Sequence, residues 1–293
     1  MSAMMNLMNW ITYSLMMFFS SVALYLSVRK ASLLKAPTQL TNLAMFAIPL
    51  VAYALIGAGT STSLHITARQ ILLLGVASVL FAYGGNKASL HAIDNAPNPG
   101  YSLVLSKSYV LFTTLVAVIL LNAELTTRKF IAILLIVGFS VLIMVNPKSA
   151  KKVKSEKWII LSFGAFFGWG LLSLSSKYLF NHGVAPIAFL IYLYAIVTLC
   201  ILAFDKIRIS NLRDATNEVK LMLLSVGVFS TLFNFGQFQA IKLAPNIGYV
   251  NAINAASISM VTVFAVILFK DEITLKKAVG VLGVTVGLIL LLI

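Results

Sequence analysis

A chain of 293 residues, 60% of them hydrophobic and 10% charged, with a mean hydropathy of +0.98, lies far from the roughly 45–50% apolar and 25% charged usage of soluble domains. It is an integral membrane protein. The formal charge of +14 is spread over short interhelical stretches with no soluble domain to present it, which excludes a nucleic-acid surface and makes membrane orientation the better reading of the charge. The single cysteine, Cys200, sits inside an apolar stretch and can form no intramolecular disulfide.

Apolar stretches of about 20 residues, each enough to cross roughly 30 Å of hydrocarbon as a helix, follow one another along the chain. The first covers residues 8–27; its leading MSAMMNLMNW has no Lys or Arg and no small-residue cleavage pattern follows, so it reads as structure rather than a signal. The second covers 39–58. The third, 70–90, carries Asn86 and Lys87 near its end. The turn Ala96-Pro97-Asn98-Pro99-Gly100-Tyr101 leads into the fourth, 100–121, with Lys107 roughly 12 Å along it at 1.5 Å per residue. The fifth covers 128–146. The sixth, 158–179, has Trp169 at its middle and Lys177 near its end, and the seventh covers 186–204. The eighth, 219–240, holds Asn234 and Gln237, the ninth, 247–269, holds Asn251 and Asn254, and the tenth covers 275–293. The stretches are continuously apolar rather than alternating, so the expected fold class is all-α, a polytopic membrane protein of ten transmembrane helices rather than a barrel.

The turn APNPGY returns as Ala244-Pro245-Asn246-Ile247-Gly248-Tyr249, 148 positions later. At the same offset Trp10-Ile11 matches Trp158-Ile159, Phe18-Phe19 matches Phe166-Phe167, Asn86 matches Asn234, and Glu124-Leu-Thr-Thr-Arg-Lys129 matches Glu272-Ile-Thr-Leu-Lys-Lys277. The chain is therefore expected to divide into repeats at 1–147 and 148–293. Each unit has five spans, an odd number, so the second enters the membrane inverted, the arrangement from which alternating access follows. If the N-terminus lies outside, the cytoplasmic loops hold Arg29, Lys30, Lys35, Lys148, Lys151, Lys152, Lys154, Lys157, Lys206, Arg208, Arg213, Lys220, Lys270, Lys276 and Lys277, against Arg69, Arg128, Lys129 and Lys242 opposite. Positive-inside bias thus places both termini outside.

The paired five-helix units, each closing with a Glu-containing turn before its last helix (Glu124 and Glu272), and the run FFGWGLLSLSSKY at 166–178 resemble the drug/metabolite transporter superfamily, EamA type. The resemblance covers essentially the whole chain. It implies a ten-helix carrier of amino acids, metabolites, nucleotide sugars or drugs, in the inner membrane of a prokaryote. Two features depart from the family pattern. Its mid-helix prolines are replaced by Leu111 and Ser259, and its termini usually lie in the cytoplasm, opposite to the charge count.

All eight acidic residues fall in loops or at span ends. Carriers that exchange lipophilic cations for protons need a carboxylate within the membrane, so facilitated diffusion or exchange is the simpler expectation. Cations point the other way. Lys107 has no charged counterpart in the repeat, where Ala255 stands, and either snorkels to the headgroups or binds an anion. Lys87, on the same side of the membrane, could share that anion. Asn251 and Asn254 lie on one face of the ninth helix, and Asn86, Asn234 and Gln237 join them as amides that either line the cavity or pack helices. Trp169 would wall the site, whereas Trp10 and Trp158, opening their spans, read as interfacial belt residues. Tyr101 and Tyr249 are candidate gates or interface anchors. His65, His91 and His182 fall at span edges.

No metal cluster, phosphate-cradling loop or triad order is present in the sequence, so no enzyme, metal or cofactor is expected. The expected function is secondary transport, facilitative or by exchange, of a small polar organic solute such as an amino acid or another anionic or zwitterionic metabolite. A multidrug or aromatic-compound exporter and a lipid-translocating or scaffold protein are the competing readings. Expected partners are the solute and the lipid bilayer, with no nucleic acid, in a monomer or homodimer.

Overall fold

The computed structural model describes residues 2–97, 99–145, 156–205, 207 and 210–293. Among them ten helices are long and apolar enough to cross a membrane, and no strand occurs. They are α1 (Ser2–Leu33), α2 (Thr38–Gly59), α3 (Ala68–Asn95), α4 (Gly100–Leu121), α5 (Thr127–Met144), α6 (Lys157–Asn181), α7 (Pro186–Phe204), α8 (Asn217–Leu243), α9 (Ile247–Phe269) and α10 (Leu275–Leu292). The chain is a multi-pass membrane protein. Of the cations counted for orientation, Lys148, Lys151, Lys152, Lys154, Lys206 and Arg208 lie outside the described residues, as does Asn98 of the first turn.

The repeat offset of 148 recurs in local geometry. Thr126 caps α5 by accepting from the Lys129 amide, and Thr274 caps α10 by accepting from Lys277, each satisfying a donor that the helix start leaves free. Helices α4 and α9 both stop at a left-handed residue, Asn122 (φ 50°) and Lys270 (φ 57°), whose amides donate to the carbonyls of Ala117 and Ala265. Packing follows the same exchange. Helix α1 lies along α8 as α6 lies along α3, α1 meets α9 as α6 meets α4, and α2 packs on α8 as α7 packs on α3. Three pairs, α2 with α7, α4 with α9 and α5 with α10, each join equivalent helices. The halves therefore bury their surfaces mainly in each other.

Helices α3 and α8 end at equivalent residues, Asn95 and Leu243, and the first copy departs from the second in a π-helical stretch of α3 and in a break of α4. Helix α3 runs on to Asn95, past the apolar limit at residue 90, because the backbone stays helical through the polar NKASLHAIDN until Pro97. Lys87 thus lies about two turns inside the helix. Between Ala77 and Gly84 α3 widens into a π-helix. Helix α4 is interrupted at Ser108, which separates Pro99–Lys107 from Tyr109–Leu121, whereas α9 is continuous. Ser106 and Ser108 donate their hydroxyls to the carbonyls of Leu103 and Leu105 beside the break, whereas Ser257 and Ser259 make the same kind of bond in α9 without interrupting it. Trp10 is not a belt residue: it is 1% exposed, covered by Tyr249 at 6.2 Å between ring centroids.

Ion pairs gather at the lysine-rich end. Arg29 grips Asp271 with both guanidinium nitrogens, and Lys30 meets Glu218 at 3.4 Å. The Arg29 guanidinium holds the Asp271 carboxyl below its ordinary value of 3.8. A carboxyl depressed on folding adds stability above the unfolded value, and that stability is lost as pH falls through the folded one. A thermal unfolding series is therefore expected to lose midpoint below about pH 4, where Asp271→Asn is flat. The pair is partly exposed, so its contribution is at most about 1 kcal/mol, or roughly 2–4 °C for a chain of this size.

Candidate functional site

A cavity of about 170 Å³ lies at the centre of the bundle, lined by every helix except α5 and α10. Six pairs of its lining positions are related by the 148-residue offset: Leu24 and Leu172, Tyr25 and Ser173, Met45 and Leu193, Phe46 and Tyr194, Ala82 and Ser230, and Asn86 and Asn234. The cavity therefore sits on the axis that relates the two halves, where an inverted-repeat carrier holds its solute.

Lys107 is the charge in this space. The interruption at Ser108 ends the first segment of α4 at Lys107, and its side chain reaches inward. Its Nζ stands 5.1 Å from the centroid of the Trp169 ring and 5.8 Å from that of Tyr25, and donates to the Tyr25 hydroxyl at 3.4 Å. Among the described residues no acidic side chain lines the cavity, and Lys107 takes part in none of their ion pairs. A cation removed from bulk water without a counterion is costly, and a bound anion would offset that cost. Asn254, also on the lining, is 6% exposed, and its Oδ1 has no hydrogen-bond partner among the described residues. Leaving such an acceptor unmet costs about 1–3 kcal/mol, so this position suits a donor on the solute. The remaining walls combine the polar side chains of Asn86, Asn234, Gln237, Ser173 and Ser230 with apolar and aromatic ones, Trp169 standing edge-on to Tyr109 at 6.0 Å and Phe46 beside Tyr194 at 5.3 Å.

Of the residues singled out in sequence, Lys107, Asn86, Asn234, Gln237, Asn254 and Trp169 line this cavity. The other four lie elsewhere. Asn251 is fully buried between helices and donates to Thr113 Oγ1 at 3.1 Å. Tyr249 is 1% exposed and donates its hydroxyl to the Glu124 carbonyl at 2.7 Å, with the Lys129 ammonium 4.7 Å from its ring centre. It anchors the second APNxGY turn, where Asn246 also reaches the Glu124 carbonyl at 3.1 Å. Tyr101 is half-buried at the start of α4, outside the lining. Lys87 sits in a separate vestibule. Lys177, the third lysine within a span, donates to the carbonyls of Lys242 and Ala244 and so closes the end of α8.

The vestibule, of about 450 Å³, lies toward the lysine-rich end between α2, α3 and α7. Asp205, just past α7, accepts from Lys87 Nζ at 2.8 Å and from the Tyr83 hydroxyl at 2.9 Å. Asn42 bridges Asp205 at 3.5 Å and Asn86 at 3.1 Å. Lys87 is thus already neutralised, and the anion expected to join it to Lys107 has Asp205 as its competitor. Asn86 lines both vestibule and cavity, which makes this the approach to the centre. At the other end Phe180, Phe189 and Phe238 pack with centroid separations of 5.3, 6.3 and 4.9 Å. Their repeat equivalents are Ser32, Thr41 and Leu90, and Leu90 lines the vestibule. The bundle is sealed by aromatics at one end and held by polar contacts at the other. Replacing Lys87 with Glu adds a third carboxylate to Asp205 and Asp94 in the vestibule; uptake of an anionic solute is expected to fall about 10-fold, roughly 1.4 kcal/mol, and to recover in part when Asp205→Lys is added.

Sequence reasoning passed over Tyr25, Tyr109, Tyr194, Ser173, Ser230 and Asp205. The offset itself was a usable signal for four of them, because Tyr25 pairs with Ser173, Tyr194 with Phe46 and Ser230 with Ala82 on the lining. Nothing in sequence joined Asp205 to Lys87.

Residues 156–293 match the family model described as the EamA-like transporter family. The resemblance read from the sequence is borne out over that half. A solved structure titled "Crystal structure of protein" shares the fold at a TM-score of 0.74 and 14% identity, covering 96% of this chain and 97% of its own. No curated protein matches the chain in sequence.

Proposed function

With a second half that belongs to the EamA-like transporter family, the chain is a membrane transporter, and we propose that its solute is a small organic molecule bearing a carboxylate, an amino acid or a related anionic or zwitterionic metabolite. The observation that carries this is the unpaired Lys107 ammonium in the central cavity. The solute's carboxylate takes Lys107, a donor group meets Asn254 Oδ1, and an apolar part lies among Trp169, Phe46 and Tyr194. Movement follows by alternating access: the vestibule closes as the aromatic seal parts, and the two repeats exchange conformations. A proton-coupled exporter of lipophilic cations has no carboxylate in this lining to hold its cargo.

The aromatic walls favour one competing reading, an exporter of aromatic compounds. A thermal-shift panel on the purified protein separates the two. Zwitterionic and anionic amino acids are expected to raise the melting midpoint, and their decarboxylated amines are not. Stabilisation by the amines alone would overturn the reading. We further propose repeat boundaries at 1–147 and 148–293, both termini outside by charge bias, and residence in the inner membrane of a prokaryote. Labelling of single cysteines at positions 122 and 150 in intact cells tests orientation, and a label reaching 150 from outside refutes it.

A further inference from the structure

We propose that the outer flank of α3, α4 and α6 binds one phospholipid, its phosphate on Arg69 and one acyl chain along Leu72, Val76, Leu120 and Leu174. A groove of about 750 Å³ runs there, larger than the central cavity and on the opposite side of α6 from it. Its walls are aliphatic, and Leu72 and Leu120 are 69% and 70% exposed at membrane depth. Apart from Ser175, its polar residues gather at one end. There Gln70 donates to the His182 carbonyl at 2.9 Å, and Tyr178 stacks on the His182 ring at 4.0 Å, so those side chains are committed to one another. Arg69 is exposed beside them and belongs to none of the ion pairs among the described residues. Seven of the eight acidic residues fall in loops or helix ends of the other face, and Glu124 alone lies on this one. An arginine at headgroup level, at the head of an aliphatic groove that opens sideways, complements a phosphodiester on an acyl chain.

The second repeat shows why the groove is particular to the first. At the offset of 148, Asn217 stands for Arg69 and Lys30 for Tyr178. There α1 stays packed along α8 and Lys30 pairs with Glu218. Helix α6 by contrast accompanies α3 closely only over Ala77–Asn95 and parts from it over Ala68–Val76. The parting begins where α3 turns π-helical at Ala77, above the close crossing of Gly85 and Gly168. If the halves exchange conformations, α3 and α6 close as α1 and α8 are closed here. A seated acyl chain opposes that closure, so the lipid favours the conformation reached from the lysine-rich end. This consequence rests on the carrier reading; the binding does not.

The test is a thermal-shift titration of delipidated protein in detergent with dioleoyl phosphatidylglycerol, and with inorganic phosphate as a separate arm. The lipid is expected to raise the midpoint of the wild type, to require at least 5-fold more lipid for Arg69→Gln, and to have no effect on Leu72→Trp, a substitution at an exposed position that fills the groove. Equal shifts in the wild type and both variants overturn the lipid site. A shift from phosphate alone overturns it in favour of a free anion site, and a concentration-dependent dimer lost in Leu72→Trp overturns it in favour of a second copy. The conformational consequence is read from maleimide labelling of Leu90→Cys in a Cys200→Ala background. Labelling is expected to speed up with lipid in the wild-type groove and not with Arg69→Gln; an unchanged rate while the thermal shift persists refutes the consequence and leaves the site.

Discussion

Lys107→Met is expected to lower uptake of the carboxylate solute into proteoliposomes by about 10- to 100-fold, because a hydrogen-bonded contact between charged groups contributes roughly 1.5–3 kcal/mol. The protein itself is expected to remain folded and as stable as before. Among the described residues Lys107 has no ion-pair partner to abandon, its side chain donates to the Tyr25 hydroxyl at 3.4 Å, and methionine preserves most of the aliphatic stem. Lys107→Arg retains the charge and is expected to recover part of the flux, with a changed solute preference because the planar guanidinium presents its donors differently. Unchanged flux in Lys107→Met would remove the cavity cation from the mechanism.

The second large effect is expected at the crossing of α3 and α6. A Cβ on Gly168 would stand 2.8 Å from Gly85 Cα and 2.9 Å from the Phe81 carbonyl oxygen. Both are backbone atoms, so no rotamer change relieves the overlap and the helices must separate. Overpacking of this kind costs about 1–3 kcal/mol. Gly168→Val is expected to lose several degrees of thermal midpoint, at roughly 2–4 °C per kcal/mol, and to reduce transport further than that loss explains, since Trp169 is displaced with its helix. Gly138→Ala, where nothing lies within 4 Å of the added carbon, is the control and is expected to be neutral or slightly stabilising. A Gly168→Val protein with the same midpoint and flux as the control would show that the crossing does not position the site.

The spans were legible because lipid imposes one simple rule on a helix, length times hydrophobicity, and that rule can be read along a line. It failed only where polar sequence remained helical, as in α3 from Leu90 to Asn95, and where α4 is interrupted at Ser108. The repeat was legible for a different reason. Duplicated turns such as Thr126 and Thr274, or Asn122 and Lys270, keep their local hydrogen bonds, and local chemistry survives in the order of residues.

The amides illustrate the limit. Asn251 and Asn254 were indistinguishable by spacing, three apart on α9, yet one donates to Thr113 on α4 and the other faces the cavity. A helix face of that width spans both a neighbour and a gap, and only the position of α4 divides it. Trp10 and Trp158 open their spans alike, but Trp10 is covered by Tyr249 from α9. Lys87 and Asp205 are 118 positions apart in sequence and 2.8 Å apart in space, a pairing that helix packing creates and hydropathy does not encode.

By itself, then, the amino-acid sequence determined ten helices long and apolar enough to cross a membrane and a recurrence of residues at an offset of 148, because hydrocarbon thickness and local turn chemistry act on consecutive residues. Tertiary structure decided which polar groups meet, that Lys107 stays unpaired while Lys87 does not, and that one end of the bundle is closed by aromatics. Those outcomes depend on the space left between helices distant in the chain, and that space is a property of their packing.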